Sequence, residues 1–368
     1  MPRKLDFDDS LFADLPEWAD VTPVEQYEGV NPVAPIFYTP EYTDATNYFR
    51  AIVQSGEKSE RVLDLTENII RQNPAHYSAW QYRYETLVSL LPTPTPSSHP
   101  LLTAEVELMD ELAVLFLKTY QVWHHRRLLV QITREPQREL DFIKKGLQVD
   151  SKNYHTWSYR QWILGFFGGK GSISKEGDEE IDEDLWASEL DFVDTLLATD
   201  VRNNSAWHHR FFVVWACGVR EGEEDRERVL KRELIYAKQA ISLAPSNPSA
   251  WNYLRGILAH TNTPFSSLVT FAEAYAYPRE SVDAKQRDIV DLENPLPSES
   301  ADLPCAEAME FLADAWEVEG GQEKIDAAVT MWTALANERD VMRKKYWEHR
   351  IRDAHLGLRG GQKKTTTA

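Results

Sequence analysis

Positive charge is in short supply. The 368 residues carry 40 Lys and Arg against 59 Asp and Glu, a formal net charge of −19. That balance excludes a general nucleic-acid binder, which needs surplus cations to displace counterions from phosphates. Cysteine is scarcer still. Cys217 and Cys305 lie too far apart to make a CxxC pair or a disulfide framework, and a reducing compartment is the natural setting. No apolar run reaches the roughly 18 residues of a membrane span, so no membrane insertion is expected. The first nine residues, MPRKLDFDD, lack the apolar stretch of a signal peptide and are too acidic for a transit peptide. The C-terminal KKTTTA has no cysteine to lipidate. The expected protein is soluble and cytoplasmic. Also missing are a GxxxxGK[ST] loop, a GxGxxG after a strand, a GxSxG elbow and an HExxH pair. No catalytic machinery complete in itself can be read.

Tryptophan, by contrast, is abundant, and six of the twelve recur in one pattern. Trp80-Gln-Tyr-Arg83, Trp123-His-His-Arg126, Trp157-Ser-Tyr-Arg160, Trp207-His-His-Arg210, Trp251-Asn-Tyr-Leu254-Arg255 and Trp347-Glu-His-Arg350 lie 43, 34, 50, 44 and 96 residues apart. Recurrence every 20–50 residues marks stacked supersecondary repeats, and the last gap has room for a degenerate unit. The repeat extends beyond the tetrad. With residues 139–160 placed over 189–210, nine of 22 positions are identical, among them Glu139/Glu189, Asn153/Asn203 and Trp157/Trp207. A further shift of 44 aligns Glu233, Leu234, Ile241, Asn247 and Trp251.

Each unit reads as two helices. Over residues 60–73, Val62, Leu65, Ile69 and Ile70 follow helical spacing until Asn73-Pro74. A second helix carries Trp80, Tyr84, Leu87, Val88 and Leu91, and the Pro-rich stretch 92–100 breaks it. Asn153, Asn203 and Asn247 each stand four residues before their tryptophan, where an N-cap opens the second helix. Sustained period-2 alternation is absent. The predicted fold is all-α: an α-α superhelix, a crescent solenoid of stacked antiparallel hairpins over residues 41–356. An extended Pro-rich segment (1–40) precedes it, polar insertions near 168–184 and 278–304 and an acidic loop at 220–228 interrupt it, and a disordered tail (357–368) follows.

The repeated Trp and Arg suit an architectural role, with Trp filling the gap between hairpins and Arg bonding a neighbour's carbonyls or an acid. The His124-His125 and His208-His209 pairs do not suit a shared metal, because adjacent helical residues point about 100° apart. One member of each pair is expected to pack or bond within the array. Function is then sought where repeats differ. The turns before Trp123 and Trp157 carry Lys118, Tyr120, Gln121, Asn153, Tyr154 and His155, where other repeats hold blander residues such as Asn204, Ser205, Pro248 and Ser249. Stacked hairpins put such turns side by side on one rim. A cation, an imidazole, two phenols and two amides there suit an anionic ligand such as a diphosphate or carboxylate; ordinary capping and surface polarity is the competing reading.

These tetrads, with Asn four residues ahead, resemble the repeats of the protein prenyltransferase α subunits, over roughly residues 40–355. The strongest matches are Lys118-Thr-Tyr120-Gln121-Val-Trp123-His-His-Arg126-Arg127, Asn153-Tyr154-His155-Thr-Trp157, Asn203-Asn-Ser-Ala-Trp207 and Asn247-Pro-Ser-Ala-Trp251. Within the family, the sequence looks like the α subunit shared by the farnesyl- and type I geranylgeranyl-transferring enzymes. Two departures from the family pattern are Thr119, where asparagine is usual between the lysine and tyrosine, and His76, at the asparagine position of the first repeat.

The resemblance implies an enzyme active only as a heterodimer, with a β subunit that holds the catalytic zinc and most of the isoprenoid pocket. Magnesium would accompany the diphosphate. The substrates implied are farnesyl or geranylgeranyl diphosphate and proteins ending in a CaaX motif. By motif match, Lys118 would reach the diphosphate with His155 close by, Tyr120 would line the peptide site, and Gln121 would receive the C-terminal carboxylate. Asn153 and Tyr154 would brace the adjoining turn. A non-catalytic tetratricopeptide-like scaffold is the alternative, although its period of roughly 34 residues and its W-x-x-L-G pattern do not fit this spacing or the Arg at Trp+3. A free-standing enzyme using Lys118 and His155 would lack a nucleophile or metal set.

Overall fold

The computed structural model describes residues 11–169, 182–219, 222–279 and 291–365, with side chains through 356. The predicted segments at 170–181, 220–221 and 280–290, with much of the acidic insertions, lie outside the described residues. Among the described residues there is no strand. The chain divides into two compact units, one ending at Ile163 and the other beginning at Leu164.

In the first unit, two short 3-10 turns, Phe12–Asp14 and Pro16–Trp18, precede the first α-helix. Phe12 and Trp18 are buried, their rings edge-on against each other and close to Tyr48. Helix α1 (Pro40–Ser55) opens on the Thr39 side chain, which accepts from the Tyr42 N–H, and closes at Gly56 with φ +74°, the left-handed conformation that glycine adopts without a Cβ penalty. Then come α2 (Glu60–Gln72), α3 (Tyr77–Leu90), α4 (Pro100–Leu115), α5 (Tyr120–Thr133), α6 (Pro136–Val149) and α7 (Tyr154–Phe167), whose residues from Leu164 on are counted with the second unit. The predicted first helix ends one residue early, and Val62, Leu65, Ile69 and Ile70 are all fully buried. In α3 the buried stripe is Trp80, Arg83 and Leu87. Val88, expected inside, is exposed, and Tyr84 is half-buried.

The second unit contains α8 (Glu189–Thr199), α9 (Asn204–Phe211), α10 (Arg226–Leu243), α11 (Pro248–His260), α12 (Val269–Ala276), α13 (Ala306–Glu319), α14 (Gln322–Ala334) and α15 (Lys344–Thr365). The long gap between Trp251 and Trp347 is therefore filled by α12, α13 and α14, which pack consecutively. Helix α15 runs past the boundary drawn at residue 356. Single π-turns continue α9 over Phe212–Ala216 and α14 over Leu335–Arg339. The described part of the 278–304 insertion is tied to its neighbours: the Tyr275 hydroxyl donates to the Pro295 carbonyl at 2.7 Å, and Lys238 donates to Asn294 Oδ1 at 2.9 Å.

Helix starts follow the predicted capping. Asn203 Oδ1 accepts from the N–H of Ser205 and Ala206, and Asn247 Oδ1 from that of Ser249. His76 performs the same task at the first repeat, where Nδ1 accepts from the Ala79 N–H at 3.1 Å. Burial holds the His76 pKa below its ordinary value, which keeps that nitrogen free to accept. Thr119 forms no side-chain cap at α5, so this departure from the pattern costs one turn its cap.

Candidate functional site

The tetrads build the frame on which the distinctive turns sit. Each indole N–H reaches back six residues to a carbonyl in the turn that joins the two helices of its hairpin. The bonds are Trp80 to Pro74, Trp123 to Leu117 and Trp157 to Ser151 at 2.9 Å, and Trp207 to Val201 and Trp251 to Pro245 at 2.8 Å. One residue thus fills the core and satisfies a turn carbonyl. Trp347 departs from the set: its N–H goes to Asp340 Oδ2.

The arginine one turn on reaches a glutamate in the first helix of the following hairpin. Arg83 grips Glu105 with Nε at 2.7 Å and Nη2 at 2.6 Å. Arg126 binds Glu139 with Nε at 2.5 Å and Nη2 at 3.0 Å, and Arg210 binds Glu233 with Nε at 2.7 Å and Nη2 at 3.0 Å. Each of these glutamates also accepts from the residue two places after its own tryptophan. These partners are His125 Nε2 (2.7 Å), the Tyr159 hydroxyl (2.7 Å) and the Tyr253 hydroxyl (2.6 Å). The buried carboxylate is an acceptor only, so Nε2 of His125 carries the proton. Burial alone pushes the Glu105 carboxyl up, but the Arg83 charge and the His125 bond outweigh it and hold it down at about 2. Burial likewise opposes ionisation of Glu233, and Arg210 reverses the direction to a net lowering. The expectation that one histidine of each pair bonds or packs inside is met: His125 and His209 are buried, while His124 and His208 are exposed. The acid each arginine takes was not identified from sequence, although Glu139, Glu189 and Glu233 already stood in one alignment column.

On that frame, α5 and α7 bring the two distinctive turns together. The Tyr120 and His155 rings meet edge to face with centroids 4.4 Å apart, and Tyr154 flanks the same imidazole at 5.6 Å. Tyr120 and Tyr154 are each 68% exposed, so neither phenol serves the core. Partial burial lowers the His155 pKa below its ordinary value, leaving a neutral imidazole near pH 7 that can donate or accept one bond. Lys118, two residues before Tyr120, is exposed and pairs with no acid among the described residues. Gln121 Nε2 donates a long bond, 3.4 Å, to the Ala75 carbonyl in the turn before α3. Asn153 is buried in its capping role: Oδ1 accepts from the Thr156 N–H at 3.0 Å and from the Thr156 hydroxyl at 3.1 Å.

Tyr120 and Gln121 also stand on the wall of an open cavity of about 630 Å³, whose other walls include Phe49, Tyr77, Tyr84 and His124. Sequence reasoning missed this cavity, since its wall draws on α1, α3 and α5 and no local motif joins them. Among the described residues, no three His, Cys, Asp or Glu side chains group as a metal site. A lysine, two phenols, amides and one imidazole do not match the ligand set of zinc. The arrangement suits recognition of an anion by Lys118 and His155 beside an aromatic surface.

Comparison with known proteins agrees with this construction. The protein prenyltransferase alpha subunit repeat matches residues 59–90, 102–133, 136–167, 186–217 and 230–261. The glutamates Glu105, Glu139, Glu189 and Glu233 fall at the fourth position of their matched segments. The protein farnesyltransferase/geranylgeranyltransferase type-1 subunit alpha of Dictyostelium discoideum is 30% identical over 338 residues, 91% of this chain and 92% of that protein. The protein of the same name from Schizosaccharomyces pombe is 42% identical over 245 residues, covering 67% and 74%. Among solved structures, Candida albicans protein geranylgeranyltransferase-I complexed with GGPP superposes with a TM-score of 0.69 at 29% identity, over 91% of this chain and 97% of that one. The repeats, their capped hairpins and the full-length relatives agree, and the chain belongs to the protein prenyltransferase α-subunit family.

Proposed function

We propose that this chain is the α subunit of a heterodimeric protein prenyltransferase that moves a farnesyl or geranylgeranyl group from its diphosphate to the cysteine of a C-terminal CaaX motif. The observation that carries the reading is the contact between Tyr120 and His155, which joins two turns, otherwise distant in sequence, into one polar edge that includes the exposed Lys118. Zinc, held by the partner β subunit, would supply acidification of the substrate thiol. In the transfer, a carbon–sulfur bond forms at the allylic carbon as the carbon–oxygen bond to the diphosphate breaks, and the electron pair leaves with pyrophosphate.

This chain's part is electrostatic and positional. The ammonium of Lys118 meets charge that grows on the leaving diphosphate, a contribution that is larger in the transition state than in the ground state. The neutral imidazole of His155 donates one further bond to the same oxygens and holds the Tyr120 ring. Tyr120 orients the peptide, and the amide of Gln121 donates to its terminal carboxylate. Magnesium travels with the diphosphate rather than with a ligand set of this chain. Tyr154 widens the phenolic edge, and Asn153 acts through the cap of α7.

The test is prenyl transfer to a CaaX peptide, with zinc and magnesium present, by this chain alone and by the chain co-purified with a candidate β subunit. Activity confined to the heterodimer is the expected result. Absence of both association and activity would leave a helical-repeat scaffold in its place.

A further inference from the structure

The last helix runs against the charge of the rest of the molecule. Residues 344–368 hold seven of the 40 Lys and Arg but two of the 59 acids, so the remaining 343 residues carry 33 cations against 57 acids. After Asp353 no acid occurs at all. This reversal is organised on α15. Trp347 and Ala354 are buried, at 0% and 6% exposure, and mark the inward face. With 100° per residue, Lys345, His349, Arg352 and Leu356 fall within about 60° of one another on the opposite face. All four are exposed. The sequence repeats the same register at Arg359 and Lys363.

The cation on the inward side of α15 is spoken for: Arg350 binds Asp314 at 2.8 Å and Glu317 at 2.6 Å, within its own unit. Among the described residues, Lys345 and Arg352 make no ion pair. The two acids of the helix sit beside the stripe rather than on it, Asp353 bonded to His349 at 3.3 Å and Glu348 half-buried. Apolar side chains accompany the cations: Met342 is 93% exposed just ahead of the helix, and Leu356 is 63% exposed within the stripe. A cationic helix face that also shows apolar side chains to water is the pattern of a helix lying in the headgroup layer of an anionic membrane.

We propose that the outer face of α15 is a peripheral docking surface for an anionic lipid bilayer. The headgroups would pair with Lys345 and Arg352, and Met342 and Leu356 would enter the interface. The acidic remainder does not forbid this, because charges more than about 8–10 Å from the bilayer are screened at physiological salt. The surface is independent of the proposed prenyl transfer, though it would hold an enzyme that makes lipid-modified proteins where those products partition.

The test is flotation of the full heterodimer with vesicles of phosphatidylcholine alone and of phosphatidylcholine with phosphatidylserine. Binding is expected to the anionic vesicles only, and to weaken as salt rises toward roughly 0.5 M. Each cation removed should cost roughly fivefold in vesicle affinity, so K345A/R352A should lose roughly 25-fold and K345E/R352E more. Both variants should retain wild-type melting and the wild-type rate on a short soluble peptide. Equal binding to both vesicle types, wild-type binding by the charge-reversed variant, or capture of polyglutamate with no vesicle binding would each overturn the lipid assignment. Vesicle binding is read without turnover, so a failed transfer assay and a failed flotation assay are distinguishable.

Discussion

Replacing Glu105 by glutamine should remove one of the strongest fastenings between hairpins. Its carboxylate takes both Arg83 bonds, at 2.6 and 2.7 Å, and the His125 bond at 2.7 Å, with all three residues at most 3% exposed. Displacement of its pKa from the ordinary 4.5 to about 2 corresponds to about 3 kcal/mol of folding free energy. That agrees in size with the roughly 3–5 kcal/mol lost when one partner of a buried pair is removed and the other charge is stranded. The folded-state value is depressed, so this stability is fully present above about pH 4.5. It fades as the pH falls toward 2. Urea unfolding followed by tryptophan fluorescence, at several pH values, measures it. Near neutrality Glu105→Gln should lower the midpoint by the equivalent of about 3 kcal/mol at unchanged slope, and the difference from wild type should shrink as the pH falls below 4.5. A difference that stays constant down to pH 3, or one below about 0.5 kcal/mol at neutrality, would refute a carboxylate held ionised by Arg83 and His125.

Three other outcomes are expected. Lys118→Ala should slow single-turnover prenyl transfer by ~10- to 1000-fold while leaving assembly with the β subunit intact, as fits a leaving-group contact; an unchanged single-turnover rate would remove it from the chemistry. Trp251→Phe should destabilise the protein by about 2–4 kcal/mol, because it opens a gap at a residue 1% exposed and strands the buried Pro245 carbonyl; unfolding at the wild-type urea midpoint would show the indole bond to be idle. Gly168→Ala should cost about 1–3 kcal/mol, since the new Cβ would stand 2.5 Å from Trp186 Nε1 and 2.8 Å from the Leu164 carbonyl; a variant as stable as wild type would mean that the Trp186 ring yields freely.

The recurrence of Trp, Arg and Asn was legible because each reports on its own hairpin. Asn203 caps the helix that begins at the next residue, and Trp207 bonds a carbonyl six residues back, so both contacts lie within one short stretch of chain. The two distinctive turns were legible as departures from that pattern, and their adjacency followed from stacking alone. Thr119 and His76 show how far single positions carry: a histidine replaced the capping asparagine with a ring nitrogen, whereas the threonine left α5 uncapped. The placement of Tyr84 and Val88 was misjudged because helical spacing ranks positions by apolarity, and the position beside Trp80 that the fold buries belongs to Arg83.

From the sequence alone came the all-helical array, its period, its caps and the family to which Lys118, Tyr120 and His155 point, since these depend on spacing along one chain. Only the tertiary structure decided which glutamate closes over which arginine, and that the residue two places after the following tryptophan, His125, Tyr159 or Tyr253, shares that carboxylate. It alone decided that Tyr120 and Tyr77 face one cavity, and that α15 turns Trp347 inward and Lys345 outward. Those outcomes depend on the register between hairpins, where the cost of a buried unpaired charge selects one alignment among many that local periodicity leaves equal.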